Sequence, residues 1–227
     1  MDLLDFARGP ALAASAAVFA TGIAWRLAGL WRLPAQPDRS PPRDGAPGRL
    51  AAAWQGIARG AWPRPTFGPA AMVATVNGYV MHVGMALVFL GYAPHIDFLR
   101  RHLGVGWPAL PDPVMYLAAS ATIVALLYAL WARLNDPVRR RISGPGDYVG
   151  WGVTFLPFVT GMAVATEPSA QLLAHGTTLY RLPLALHLMS LELLLLWFPF
   201  GTLMHALLFP FSRGITGMRF GHRGVRA

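Results

Sequence analysis

The chain is 227 residues long, 55% hydrophobic and only 13% charged, about half the ~25% charge of a soluble domain, which marks an integral membrane protein. It has no cysteine, and this excludes disulfides, cysteine-bound zinc or iron–sulfur clusters on this chain, and covalent c-type haem. The formal charge of +9 comes wholly from arginine, lysine being absent. Because the arginines stand in loops between apolar stretches, membrane topology explains them better than nucleic-acid binding does.

The N-terminus, MDLLDFARGP, opens with acids rather than a basic cluster and reads as retained. An all-α fold of five transmembrane helices follows, forming one membrane domain over 1–227. The spans are expected at about 10–31, 70–92, 113–131, 149–166 and 182–209. Each approaches the ~20 residues needed to cross a hydrocarbon core of about 30 Å. The fourth is short and contains Pro157. The linker 33–65, rich in Pro, Gly, Ala and Arg, reads as an irregular or partly helical connection. Within it AAAWQGIARGAW has the amphipathic character of a surface-lying helix or a docking segment. HLGVGWPALPDP, after the second span, is stiffened by prolines and carries an interfacial Trp107.

Charge orients the bundle. Arg26, Arg32, Arg39, Arg43, Arg49, Arg59 and Arg64 lie at the first connection, Arg133, Arg139, Arg140 and Arg141 at the third, and Arg213, Arg219, Arg223 and Arg226 in the tail. These fifteen fall on one side, against Arg8, Arg100, Arg101 and Arg181 on the other. The positive-inside rule puts the N-terminus outside and the C-terminus in the cytoplasm.

Seven histidines are present, and depth separates them. Span five, read as one helix from Leu182 to Pro210, carries His187 and His205 eighteen residues apart, about 27 Å along the axis and close to five whole turns. Both imidazoles then share a face, one at each margin of the bilayer. Span two carries His82 near its middle and His95 at its outer end. Opposite chain directions match His82 with His205 on the inner side and His95 with His187 on the outer. Two such pairs suit bis-histidine ligation of two b-type haems. Thirteen residues turn a straight helix by about 220°, so His82 and His95 share a face only if the helix bends or ends between them. Gly91 and Pro94 are placed for that. His102, His175 and His222 read as exposed loop residues.

Gly78, Gly84, Gly91 and Gly201 either leave room for a flat macrocycle or allow close helix packing. Glu192, the one acid well inside a span, suits proton transfer or a hydrogen bond to a neighbour. Arg100, Arg101, Arg181 and Arg213 stand where they could meet haem propionates, as interfacial arginines also do without a ligand. No phosphate loop, dinucleotide fingerprint, HExxH or GxSxG is present.

With these residues in place, RLPLALHLMSLELLLLWFPFGTLMH resembles the last helix of the respiratory nitrate reductase gamma subunit family, five-helix di-haem membrane cytochromes b. MHVGMALVFLGYAPH is similar to that family's second helix. RRRISGPGDY is similar to a basic stretch of the wider family, including the membrane subunits of heterodisulfide-reductase-like and sulfur-metabolism complexes. The resemblance implies that His82 and His205 ligate an inner haem and that His187 ligates an outer one. It also implies a location in the bacterial inner membrane. The family carries a further His ten residues after the first in its second helix, where this chain has Tyr92. His95, three residues on, is the substitute, so a divergent branch is expected.

The function expected is a membrane subunit exchanging electrons between the quinone pool and a cytoplasmic iron–sulfur partner through two b-type haems, docking that partner on its arginines. A mono-haem version on His82 and His205, a proton or solute transporter using Glu192, and a cofactor-free membrane anchor are the alternatives.

Overall fold

The protein is described by a computed structural model covering residues 2–34, 38–61, 68–166 and 181–225, within which every regular element is helical. Among the described residues, four helices are long and apolar enough to cross a membrane, and a fifth span is made if the bent pair at the C-terminal end is counted as one. His175, Arg64 and Arg226 lie outside the described residues.

Helix α1 covers Leu3–Trp31, seven residues longer at its start than expected. A π turn at Ala7–Ala11 absorbs Pro10 without ending it. Helix α2, Arg49–Gly60, forms inside the linker where the amphipathic stretch was noted. Helix α3 is Gly68–Gly91 and α4 is Ala93–Leu103. Helix α5 spans Asp112–Asn135, α6 Pro137–Ile142 and α7 Pro145–Thr166. The third and fourth spans thus gain a turn or so beyond the sequence estimate. Asp136 caps α6 by accepting from the Val138 and Arg139 amides.

The last span differs from expectation. Helix α8 covers Arg181–Trp197, and after a 3₁₀ turn at Thr202–Met204 helix α9 runs over His205–His222, bent from α8 by 78°. The expected continuous helix with both histidines on one face is therefore corrected. Pro199 has no amide to donate to the Leu195 carbonyl and its ring crowds the preceding turn. Gly201 then takes an extended conformation, φ −97° and ψ −175°. Pro199 is buried in a notch that Gly22 of α1 makes for it, since a Cβ on Gly22 would come within 2.6 Å of the Pro199 ring. Phe198 meets Phe19 edge-on at 5.2 Å.

Packing runs α3 on α5, α5 on α7, α7 on α8 and α8 on α1. Tyr116 and Trp151 donate to the Ala165 and Leu126 carbonyls across the α5–α7 seam, and Asn77 donates to Ala125 across α3–α5. Met115, Ala118, Thr122, Ala125 and Leu126 line the buried face of α5, whereas Leu117, Val124 and Trp131, seven apart, are 71%, 66% and 59% exposed. An apolar stripe left outward on a helix of this length suits lipid as its solvent. Among the described residues, α3 and α8 make no sustained backbone contact, which leaves an open seam between them.

Candidate functional site

Across that open seam the histidines meet in twos. The rings of His82 on α3 and His205 on α9 have centres 5.9 Å apart with planes at 84°. Those of His95 on α4 and His187 on α8 are 6.2 Å apart with planes at 17°. Among the described residues, no group of three or more His, Cys, Asp or Glu side chains gathers to hold a metal ion. The pairing is that read from depth in the sequence.

The break after Gly91 is what turns His95 inward. Pro94, in the first turn of α4, has no amide for the Leu90 carbonyl, and Tyr92 adopts extended angles of −79° and 128°. The carbonyls freed by the break find other donors. Trp107 Nε1 serves Leu90 and the Leu110 amide serves Gly91 at 2.9 Å, while the Val88 carbonyl, which keeps its helical bond from the Tyr92 amide at 3.3 Å, also accepts from His95 Nδ1 at 3.0 Å. The 220° mismatch of a straight helix is removed, and His95 lies over the end of α3. Tyr92 packs edge-on against it at 5.3 Å.

Hydrogen bonding fixes the tautomers. His82 Nδ1 is 2.7 Å from the Gly78 carbonyl and His205 Nδ1 is 2.8 Å from that of Thr202. A carbonyl only accepts, so in these rings and in His95 the proton sits on Nδ1 and Nε2 keeps its lone pair. His187 Nδ1 is 3.1 Å from Thr160 Oγ1. Ser190 gives its proton to the His187 carbonyl, and Thr160 has the Leu156 carbonyl at 2.8 Å and Ser190 Oγ at 3.0 Å for its own. With its own proton on the Leu156 carbonyl, Thr160 is open to accept from His187 Nδ1, and in that tautomer all four Nε2 atoms are left as donors for a metal. Anchoring a ligand imidazole through its other nitrogen is the usual support of metal-bound histidine.

The glycines divide. An added Cβ on Gly161 of α7 would stand 3.0 Å from His187 Cε1, so that glycine makes room for the ring. Gly84 is occupied by close packing on Thr122 of α5, Gly91 by Leu110 and Met115, and Gly201 by the Trp197 indole. Those three are packing glycines, and of the four noted in the sequence Gly78 alone faces open space. Thr160 and Gly161 were not singled out in the sequence. Their signal, a Thr-Gly step on a neighbouring helix, has no meaning until α7 is placed beside His187.

Glu192 is 5% exposed, and its Oε1 has no hydrogen-bond partner among the described residues. Arg181 is taken by Asp2 and Asp5, tying the start of α8 to the start of α1. Arg100 pairs with Asp97 at 3.3 Å, and Arg213 lies over the Phe209 ring. His102 bonds the Phe98 carbonyl of its own helix and His222 the Ser40 carbonyl, so neither joins the pairs.

No family model and no solved structure matches the chain. It is similar to a protein of Nitratidesulfovibrio vulgaris (strain Hildenborough), whose designation names no activity, at 31% identity over 226 residues, covering 95% of this chain and 92% of the relative.

Proposed function

The chain belongs to the same family as that Nitratidesulfovibrio vulgaris protein, and from its own residues we propose that it is a five-span cytochrome b subunit of the bacterial inner membrane, with its N-terminus outside. It exchanges electrons between the quinone pool and a cytoplasmic iron–sulfur protein, in the manner of the nitrate reductase gamma subunits it resembles. The observation that carries this reading is the double pairing, His82 with His205 and His95 with His187, with all four Nδ1 atoms anchored.

The residues fit the group. An ion held by two imidazole nitrogens at about 2.0 Å each separates the ring centres by roughly 6 Å, which both pairs match. His82 and His205 would hold the inner haem and His95 and His187 the outer one. Haem would supply one-electron chemistry at iron, its potential set in part by the ligating residues and their hydrogen bonds. The protein's part is orientation: the Gly78, Val88 and Thr202 carbonyls and the Thr160 hydroxyl fix each ring and raise the basicity of its Nε2. Arginines of the first and third connections and the tail offer the docking surface for an acidic partner.

The test is a reduced-minus-oxidised spectrum with haem quantified per polypeptide on the purified chain. Two haems are expected. One haem supports a mono-haem form on the inner pair, and a colourless protein rules out the cytochrome and leaves the transporter or anchor readings.

A further inference from the structure

Helices α2 and α9 pack antiparallel along a seam of small residues. Gly56 and Gly217 touch backbone to backbone, a Cβ on Gly56 falling 2.6 Å from Gly217 Cα, and Ala52 faces Gly221 while Gly60 faces Arg213. At 100° per residue, Leu50, Trp54, Ile57 and Ala58 fall within about 100° of arc on α2, and Leu207, Leu208, Phe211, Ile215 and Met218 within a similar arc on α9. Each stripe is displaced from its own seam in the same rotational sense. In an antiparallel pair equal senses bring both stripes to one side, and the contact of Ile57 and Ala53 at Gly214 lies on that side.

Leu50, Trp54, Phe211 and Ile215 are 87%, 70%, 62% and 48% exposed, so this common face has no protein cover among the described residues. The other side carries Gln55, Arg59, Ser212, Thr216 and Arg219, with Phe209 beneath the Arg213 guanidinium and Phe220 on the flank. Neither helix contains an acid. The pair is an amphipathic sheet of two helices, Trp, Phe and Leu on one side and arginine on the other, the pattern of elements that lie in the plane of an anionic membrane surface. Its attachment agrees: if the 17-residue α8, Arg181–Trp197, is taken as the crossing segment of the bent pair, the 78° bend brings α9 close to the membrane plane.

We propose that α2 and α9 form an interfacial platform whose apolar face is seated in the anionic leaflet on the arginine-rich side of the membrane. The platform begins at His205, and so sets the depth of that residue beneath the headgroups. It stands without the haem reading, because its basis is the seam, the stripes and the bend.

Absence of cysteine allows a clean test on the full chain. Leu50→Cys, Phe211→Cys, Gln55→Cys and Ser212→Cys are each labelled with a small fluorophore in nanodiscs containing phosphatidylglycerol. Labels at 50 and 211 are expected to be quenched several-fold more by headgroup-proximal spin-labelled lipid than by aqueous iodide, and those at 55 and 212 the reverse. Iodide quenching of all four alike overturns the proposal. So does iodide access at 50 and 211 that disappears only when a partner protein is added, which would make the face a protein-docking site. Haem content of the same samples reports separately on the cytochrome reading.

Discussion

His95 and Val88 are joined across a helix break, the imidazole Nδ1 lying 3.0 Å from the carbonyl, and this bond aims the ring at His187, 6.2 Å away. On the proposed function, His95→Ala leaves the outer haem with one axial ligand and the inner pair intact. We expect haem per polypeptide to fall from two to one, with a single component remaining in a potentiometric titration. Retention of two haems would move the outer ligand elsewhere, to His102 or His175.

Thr160 is the support of His187 from a neighbouring helix. Loss of such an outer partner costs about 10–100-fold in metal affinity or activity. Thr160→Val, which keeps the shape and removes the acceptor, should lower occupancy of the outer haem or shift its potential while the inner haem titrates unchanged. Thr160→Ser should restore the wild-type titration. Equal behaviour of Val and Ser would show that the hydroxyl does nothing for the ring.

How much of this was legible before the structure follows from what each feature depends on. Span positions follow from composition alone, and the pairing of His82 with His205 follows from depth, a one-dimensional coordinate. The break after Gly91 was also readable, since Pro94 removes a specific donor. The bend at Pro199 carried the same signal in the same residue type, but the unbroken apolar run from Leu182 outweighed it in the reading. Hydropathy reports burial in lipid and says nothing of axis direction. Thr160, Gly161 and the α2–α9 seam depend on which helices become neighbours, and no local pattern encodes that.

The C-terminal tail is clipped to the linker by polar contacts. Arg223 Nε lies 2.7 Å from Asp38, Arg43 reaches the Gly224 carbonyl, and the His222 ring meets the Ser40 carbonyl. The Arg223 bond, with the Ser40 hydroxyl and amide, holds the Asp38 carboxyl well below the usual carboxylate range. A carboxylate whose folded pKa is depressed contributes fully above its unfolded value of about 4 and loses that contribution only as pH falls through the folded one. Tryptic cleavage after Arg223 should therefore be constant from pH 8 down to about pH 6 once the protease's own pH dependence is divided out. Asp38→Asn should speed it throughout, as should high salt, because the pair is exposed. Cleavage of the wild type that rises between pH 8 and 6 would show that Asp38 does not hold the clip.

Glu192 presents a different case, a carboxyl 5% exposed with Oε1 lacking a partner among the described residues. A buried polar group left unsatisfied costs about 1–3 kcal/mol, and replacing it by an apolar side chain of similar size removes that cost. Glu192→Leu should accordingly unfold in detergent at the same temperature as the wild type or higher, with its haem content unchanged. If instead the variant is destabilised by that amount, the carboxyl has a partner that holds the bundle together. A Glu192→Leu protein that stays folded and keeps its haems, yet no longer accepts electrons from quinol, would identify the residue as a proton carrier retained at the expense of stability.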